Sequence, residues 1–318
     1  MRYVVEAKAL TKAYGSAGVM RRRKRVMAVN DVSFGLTEKP TVVGLVGESG
    51  SGKSTIAKLL LDLITPTSGS VIYRGKSLGD LRKDEYKAYR RDVQGIFQDP
   101  YGSVNPLRRL RYIFNIMLKN LDSGRTEDPP ISEVISNVGL DEEFLDKYPH
   151  EMSGGQLQRV LIARALFYRP KVIVADEPVS MLDASLRANV LKLMLDMKSR
   201  YDTSFLYITH DLSTAYYVAD RLIVLYGGVI AEEGDARAII TNPIHPYTSE
   251  LLTSIPKPDP SARWEGRVDV SKMEVDVREI ECCKFYHRCP NVKSQCTKKR
   301  PSLVEVEEGH SVACFECT

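Results

Sequence analysis

One nonapeptide constrains the chain more than any other feature. Residues 47–55 read GESGSGKST and lie between an apolar run, residues 41–46, and a segment in which Ile56, Leu59, Leu60 and Leu63 recur at helical spacing. The order strand, glycine-rich loop, helix is the context in which G-x-x-x-x-G-K-[ST] cradles phosphate. Gly50 and Gly52 let the loop curl, so that backbone N–H groups and the helix N-terminus converge on an anion. Lys53 adds positive charge at the β- and γ-phosphates, and the Ser54 hydroxyl can ligate Mg²⁺. The expected phosphate site therefore comprises Gly47, Glu48, Ser49, Gly50, Ser51, Gly52, Lys53, Ser54 and Thr55.

The remaining pattern fits a nucleotide-binding α/β core. Residues 171–178, KVIVADEP, form an apolar strand that ends in two carboxylates, at the sheet edge where ligands bind in open α/β folds. Asp176 suits the outer shell of Mg²⁺, and Glu177 can polarise the water that attacks a γ-phosphate. Residues 31–36 alternate polar with apolar and put Val32, Phe34 and Leu36 on one face of a strand. The spacing predicts helices over 107–121, 131–140 and 154–167, the last stopping before Pro170, so the middle of the chain is a mostly helical block. Beyond it, strand 172–175, helix 184–198, strand 205–209, helix 213–219 and strand 222–226 alternate, which implies a mostly parallel sheet covered on both faces.

Composition excludes some classes. The 45 Lys and Arg against 41 Asp and Glu leave a net charge of +4, too mild for nucleic acid to be the main partner. No run approaches the roughly 18 apolar residues that span a bilayer, so the chain is not expected to cross a membrane alone. The opening MRYVVEAKAL lacks the features of a secretory leader, which predicts a cytoplasmic location. The basic run 21–25, RRRKR, reads as a solvated loop. Pro256, Pro258 and Pro260 mark an extended linker, and all six cysteines lie beyond it, between Cys282 and Cys317.

Ser153-Gly154-Gly155-Gln156, opening a helix, resembles the signature of ATP-binding cassette (ABC) ATPases. Other family pieces follow in order: Tyr14 matches the aromatic that stacks on adenine, Gln98 in IFQDP the Q-loop, residues 180–183 (SMLD) the D-loop with Asp183, and His210 the switch histidine. The resemblance implies a P-loop NTPase core over residues 1–240, with a helical subdomain at about 102–168. It implies ATP hydrolysis with Mg²⁺ held by Ser54 and Gln98, Asp176 in the metal shell, Glu177 as general base and His210 on the γ-phosphate. The residues Ser153, Gly154, Gly155 and Gln156 would reach the ATP of a second, identical or paralogous cassette. Met152 and Met181 depart from the usual Leu and the usual small residue.

Residues 242–248, NPIHPYT, followed by ELLTSIP, are similar to the start of the C-terminal region of oligopeptide and dipeptide importer ATPases, here residues 241–318. Cys283, Cys289-Pro290, Cys296 and Cys314 are similar in spacing to cysteines that bind a [4Fe–4S] cluster in some of that group. Four thiolates also suit Zn²⁺, and chemistry alone does not separate the two. Cys282 and Cys317 read as extras, with Cys282 able to replace its neighbour. The importer resemblance implies a peripheral protein on the cytoplasmic face of the membrane. Its partners would be a second ATPase, two transmembrane permease subunits and an extracytoplasmic substrate-binding protein. An oligosaccharide or nickel importer, and a soluble ABC ATPase outside transport, are the alternatives.

Overall fold

The computed structural model describes residues 2–15, 26–119, 130–254 and 281–317; the basic run 21–25 and the proline linker lie outside them. In chain order the described residues form strands β1 (Tyr3–Tyr14), β2 (Val26–Thr37) and β3 (Val42–Val46), helix α1 (Lys53–Leu60), strands β4 (Ser68–Tyr73) and β5 (Lys76–Ser77), helix α2 (Lys83–Asp92) and strand β6 (Val93–Ile96). Helices α3 (Arg111–Lys119), α4 (Ile131–Asn137) and α5 (Gly154–Leu166) follow. Then come strand β7 (Val172–Asp176), helix α6 (Ala184–Tyr201), strand β8 (Ser204–Thr209), helix α7 (Leu212–Val218), and strands β9 (Arg221–Tyr226) and β10 (Val229–Asp235). Helices α8 (Ala236–Thr241) and α9 (Pro246–Thr253) and strands β11 (Val304–Glu307) and β12 (His310–Val312) complete the order. Contacts group these into two compact units, Met1–Glu6 with Gly35–Val42 and Ile72–Ile208, and Ala7–Phe34 with Val43–Val71 and Thr209–Thr318.

In the first unit β6, β7 and β8 run parallel, with Ile96 beside Ala175 and Asp176 beside Ile208. Every residue of β7 and β8 is buried, which is why residues 172–175 and 205–208 read as unbroken apolar runs rather than alternating ones. Because Asp176 ends β7, the strand delivers its carboxylate to the C-terminal edge. Helix α5 buries Leu157, Leu161 and Ile162, and Phe167 just past its end meets Phe114 of α3 edge to face, with ring centroids 6.0 Å apart.

In the second unit β3 pairs parallel with β9, β9 antiparallel with β10, and β10 antiparallel with β12, where Glu232 faces Val312. The far C-terminus is thus a strand of the sheet that carries the phosphate loop, not an appendage. Helix α1 stops earlier than its apolar spacing predicts. Asp62 takes a left-handed φ of 53°, its N–H bonds the Leu59 carbonyl at 3.1 Å, and the Leu63 N–H bonds the Lys58 carbonyl at 2.9 Å. That pair of bonds is a Schellman stop, and it turns Leu63, expected on the buried face, out to 50% exposure.

Candidate active site

The phosphate loop is shaped by contacts that leave no room for side chains. At Gly47, φ is +149° and a Cβ would lie 2.1 Å from the Leu225 carbonyl oxygen; at Gly52, φ is +109° and it would lie 2.2 Å from that of Ala28. Only glycine fits either place. Gly52 caps α1 without any side-chain bond, so no cap side chain competes for the helix N-terminus, the geometry an anion site requires. Lys53 is buried, and its Nζ donates to the Gly47 carbonyl at 2.7 Å and the Glu48 carbonyl at 2.9 Å. The glycine turn between β9 and β10 braces the loop, the Gly228 N–H donating to the Ser51 carbonyl at 2.9 Å. Ser49, Gly50 and Ser54 are exposed, and Thr55 is half-buried. Tyr14 ends β1, 44% exposed, with Lys12 Nζ 5.5 Å over its ring, and His210 follows β8 at the surface.

The carboxylate pair lies in the other unit. Asp176 is buried, whereas Glu177 turns out of the strand at a left-handed φ of 49°, its N–H held by the Ile208 carbonyl at 2.9 Å. A non-glycine residue there stores about 1–3 kcal/mol of strain, a common mark of a functional position. Gln98 Nε2 donates to Glu177 Oε2 at 2.9 Å, so the Q-loop and strand-end residues meet directly. Gln158 of α5, overlooked at the sequence level, ties their flanks together. Its buried Nε2 donates to the Phe97 carbonyl at 3.3 Å and the Pro178 carbonyl at 3.1 Å.

The signature residues begin α5 through a reciprocal cap. Ser153 Oγ accepts the Gln156 N–H at 3.2 Å, and the Ser153 N–H donates to Gln156 Oε1 at 3.0 Å. Above Gly154 there is open space, and Gly155 sits against Leu182 of the D-loop. Asp183 caps α6, accepting from the N–H groups of Leu186 and Ser185 and from the Ser185 hydroxyl, and these bonds hold its carboxyl below the usual range. Of the two atypical methionines, Met152 is buried and Met181 is exposed.

The family model described as "ABC transporter" matches residues 29–180, and that described as "Oligopeptide/dipeptide transporter, C-terminal region" matches residues 231–296. A putative oligopeptide transport ATP-binding protein of Bacillus subtilis is 42% identical, over 92% of this chain and 90% of its own. The chain belongs to the ATP-binding subunits of the oligopeptide/dipeptide ABC transporter family. A dipeptide transport ATP-binding protein of Haemophilus influenzae is 37% identical over 94% and 91% of the two chains. Among solved structures, a dimeric ATP-binding cassette in a post-hydrolysis state, bound to ADP and Pi, superposes with a TM-score of 0.63 at 30% identity, covering 73% of this chain and 99% of that one. As an ABC cassette, the chain is an ATPase.

The oligopeptide/dipeptide region of this ABC subunit is built around His245-Pro246-Tyr247. His245 Nδ1 accepts the Tyr247 N–H at 3.1 Å, capping α9, and burial pushes the imidazole down to about 4 while its ring also bonds the Ala313 backbone. Glu232, fully buried, accepts the N–H groups of Ile244 at 2.9 Å and His245 at 3.1 Å and bonds His310 Nε2 at 2.8 Å. The Tyr247 hydroxyl accepts the Glu48 N–H at 2.9 Å, and Arg288 grips the Glu48 carboxylate at 3.0 and 2.8 Å. No sequence signal paired Arg288 with Glu48, because the two are 240 positions apart.

None of the six cysteines forms a disulfide, and among the described residues no three His, Cys, Asp or Glu side chains are grouped to hold a metal ion. Cys283, Cys289, Cys296 and Cys314, the expected ligands, do not form such a group among the described residues, although Cys296, Cys289 and Cys314 lie near enough to Cys283 to act on its charge. Burial, reinforced by the neighbouring Cys296, Cys289 and Cys314, pushes the Cys283 thiol up to about 11.

Proposed function

We propose that this chain powers the import of di- or oligopeptides by hydrolysing ATP at the cytoplasmic face of the membrane. The observation that carries the reading is likeness over nearly the whole chain to relatives named for peptide transport, including the His245-Pro246-Tyr247 region. Gly47 to Thr55 bind the phosphates, Lys53 countering their charge and the α1 N–H groups receiving an oxygen, while Tyr14 stacks on the adenine. Ser54, Gln98 and Asp176 would hold Mg²⁺, which when bound neutralises charge on the phosphates. Glu177 orients a water and takes its proton, and His210 bonds the γ-phosphate. Ser153, Gly154, Gly155 and Gln156, with Asp183, serve the ATP of a second cassette. Binding thereby becomes closure, and hydrolysis becomes release.

A second cassette, two permease subunits and an extracytoplasmic binding protein are the partners. Supporting the permease contact, Tyr101, Leu107, Tyr112 and Ile116, which follow Gln98, leave 44%, 82%, 42% and 41% of their surface exposed. Affinity purification from native membranes in mild detergent, followed by mass spectrometry and uptake of a labelled dipeptide, tests the reading. Recovery of two polytopic subunits, and uptake that stops in a Glu177→Gln strain, is the expected result. Recovery of the chain without membrane subunits would overturn it.

The four cysteines are assigned to a [4Fe–4S] cluster, with Zn²⁺ as the alternative. The chemistry of the donor set supports this: Lys293 donates its N–H to Cys296 Sγ at 3.4 Å and Glu316 donates to Cys314 Sγ at 3.4 Å, while the sulfurs of Cys283 and Cys289 are bonded by the backbone at Phe285 and Asn291. Such a centre would tie down a segment too short to build its own core. Iron, acid-labile sulfide and zinc assays on anaerobically purified protein decide it, and the absence of all three would overturn the assignment.

A further inference from the structure

The C-terminal region holds Glu48 of the phosphate loop from two sides. Tyr247 Oη accepts the Glu48 N–H at 2.9 Å. Arg288 donates from Nη1 to Glu48 Oε2 at 3.0 Å and from Nη2 to Oε1 at 2.8 Å, with Nη2 also bonding Glu250 of α9. The Arg288 side chain is only 14% exposed, and its guanidinium lies over the rings of Tyr226 and Phe285, 5.8 and 5.5 Å from their centroids. Those rings in turn pack on Tyr247, at 4.4 and 5.5 Å. A stacked, bidentate guanidinium fixes the plane of a carboxylate, which a solvated ion pair does not. Glu48 passes this constraint on, since its carbonyl accepts from Lys53 Nζ at 2.9 Å and from the Ser51 N–H at 3.1 Å.

We propose that Arg288 and Tyr247 are positioning residues for ATP binding: by fixing Glu48 through its carboxylate and its backbone, they pre-form the phosphate loop around Lys53. The inference rests on the reading of residues 47–55 as the nucleotide site. It gives the His-Pro-Tyr motif and the cysteine segment a shared task, because Arg288 directly precedes Cys289 and Tyr247 opens α9. A loop held in its bound shape loses less conformational freedom when nucleotide arrives, so the contact acts on affinity and leaves the chemical step alone.

The test titrates the full-length chain with a fluorescent Mg–ATP analogue and measures kcat and KM for ATP. The variants are Arg288→Gln, Tyr247→Phe, Glu48→Gln and the double variant Glu48→Gln/Arg288→Gln. Arg288→Gln and Tyr247→Phe are each expected to weaken binding about three- to tenfold and to raise KM with kcat nearly constant, Glu48→Gln to weaken binding at least as much, and the double variant to lose no more than the weaker single one. Arg288→Lys, which keeps the charge but loses the fork, is expected to fall between wild type and Arg288→Gln. Unchanged affinity in both Arg288→Gln and Tyr247→Phe, losses that multiply in the double variant, or a fall in kcat at constant KM would each overturn the proposal. Should Arg288→Gln fail to fold, Tyr247→Phe, which removes one oxygen, carries the same expectation and the same refutation. Failure of the underlying site looks different: wild type would not bind the analogue, or Lys53→Ala would bind it as well as wild type.

Discussion

Gln98 donates its side-chain amide to the carboxylate of Glu177 across 2.9 Å, joining the residues that follow β6 and β7. The bond needs only an acceptor oxygen on residue 177. Glu177→Gln keeps that oxygen and removes the base, so nucleotide affinity is expected to stay within about threefold of wild type while phosphate release falls at least ~100-fold. Turnover close to wild type would remove Glu177 from the role of base.

Gln158 is the second link between the same two segments, and it is buried where water cannot replace it. Gln158→Leu leaves the Phe97 and Pro178 carbonyls without this donor, for a cost of about 1–3 kcal/mol. Thermal melts should show the loss, and steady-state kinetics should show kcat falling more than KM rises. A variant with the wild-type melting midpoint and kcat would show that the link is dispensable.

Glu232 satisfies two backbone N–H groups and His310 from a fully buried position. Glu232→Ala strands all three, and denaturant unfolding is expected to report a loss of about 3–5 kcal/mol. Glu232→Gln, which retains an acceptor, should lose less. Equal losses in the two variants would mean that packing, rather than hydrogen bonding, fixes this corner.

His245 binds its proton more weakly in the folded chain, at about 4 against an ordinary 6.5, because burial disfavours the imidazolium. The unfolded chain therefore takes up the extra proton first. The stability held by neutral His245 is complete above about pH 6.5 and falls by roughly 1.4 kcal/mol per pH unit as pH drops toward 4. His245→Asn, which can still cap α9, should flatten this part of the stability curve. An unchanged slope between pH 6.5 and 4 would contradict the assignment.

Much of this protein was legible in its sequence wherever contiguous residues carry the information. The apolar run before Gly47, the glycines that follow and the carboxylates at the end of β7 depend on local backbone geometry and on spacing within one element. The same local logic placed Val32, Phe34 and Leu36 on a buried face. It failed at Leu63, where a left-handed Asp62 ended the helix one turn early, and it left the Ser153 and Asp183 side chains without their capping partners.

The sequence by itself determined the elements, the order of the nucleotide motifs and the family, because strand, loop and helix signals act over a few residues. Tertiary structure alone decided what touches Glu48. Tyr247 and Arg288 reach it from 199 and 240 positions away, and they do so where β12 is laid beside β10 and α9 is capped by a buried histidine. Contacts at such separation follow from how the whole sheet is assembled and buried, and no local pattern of residue types encodes them.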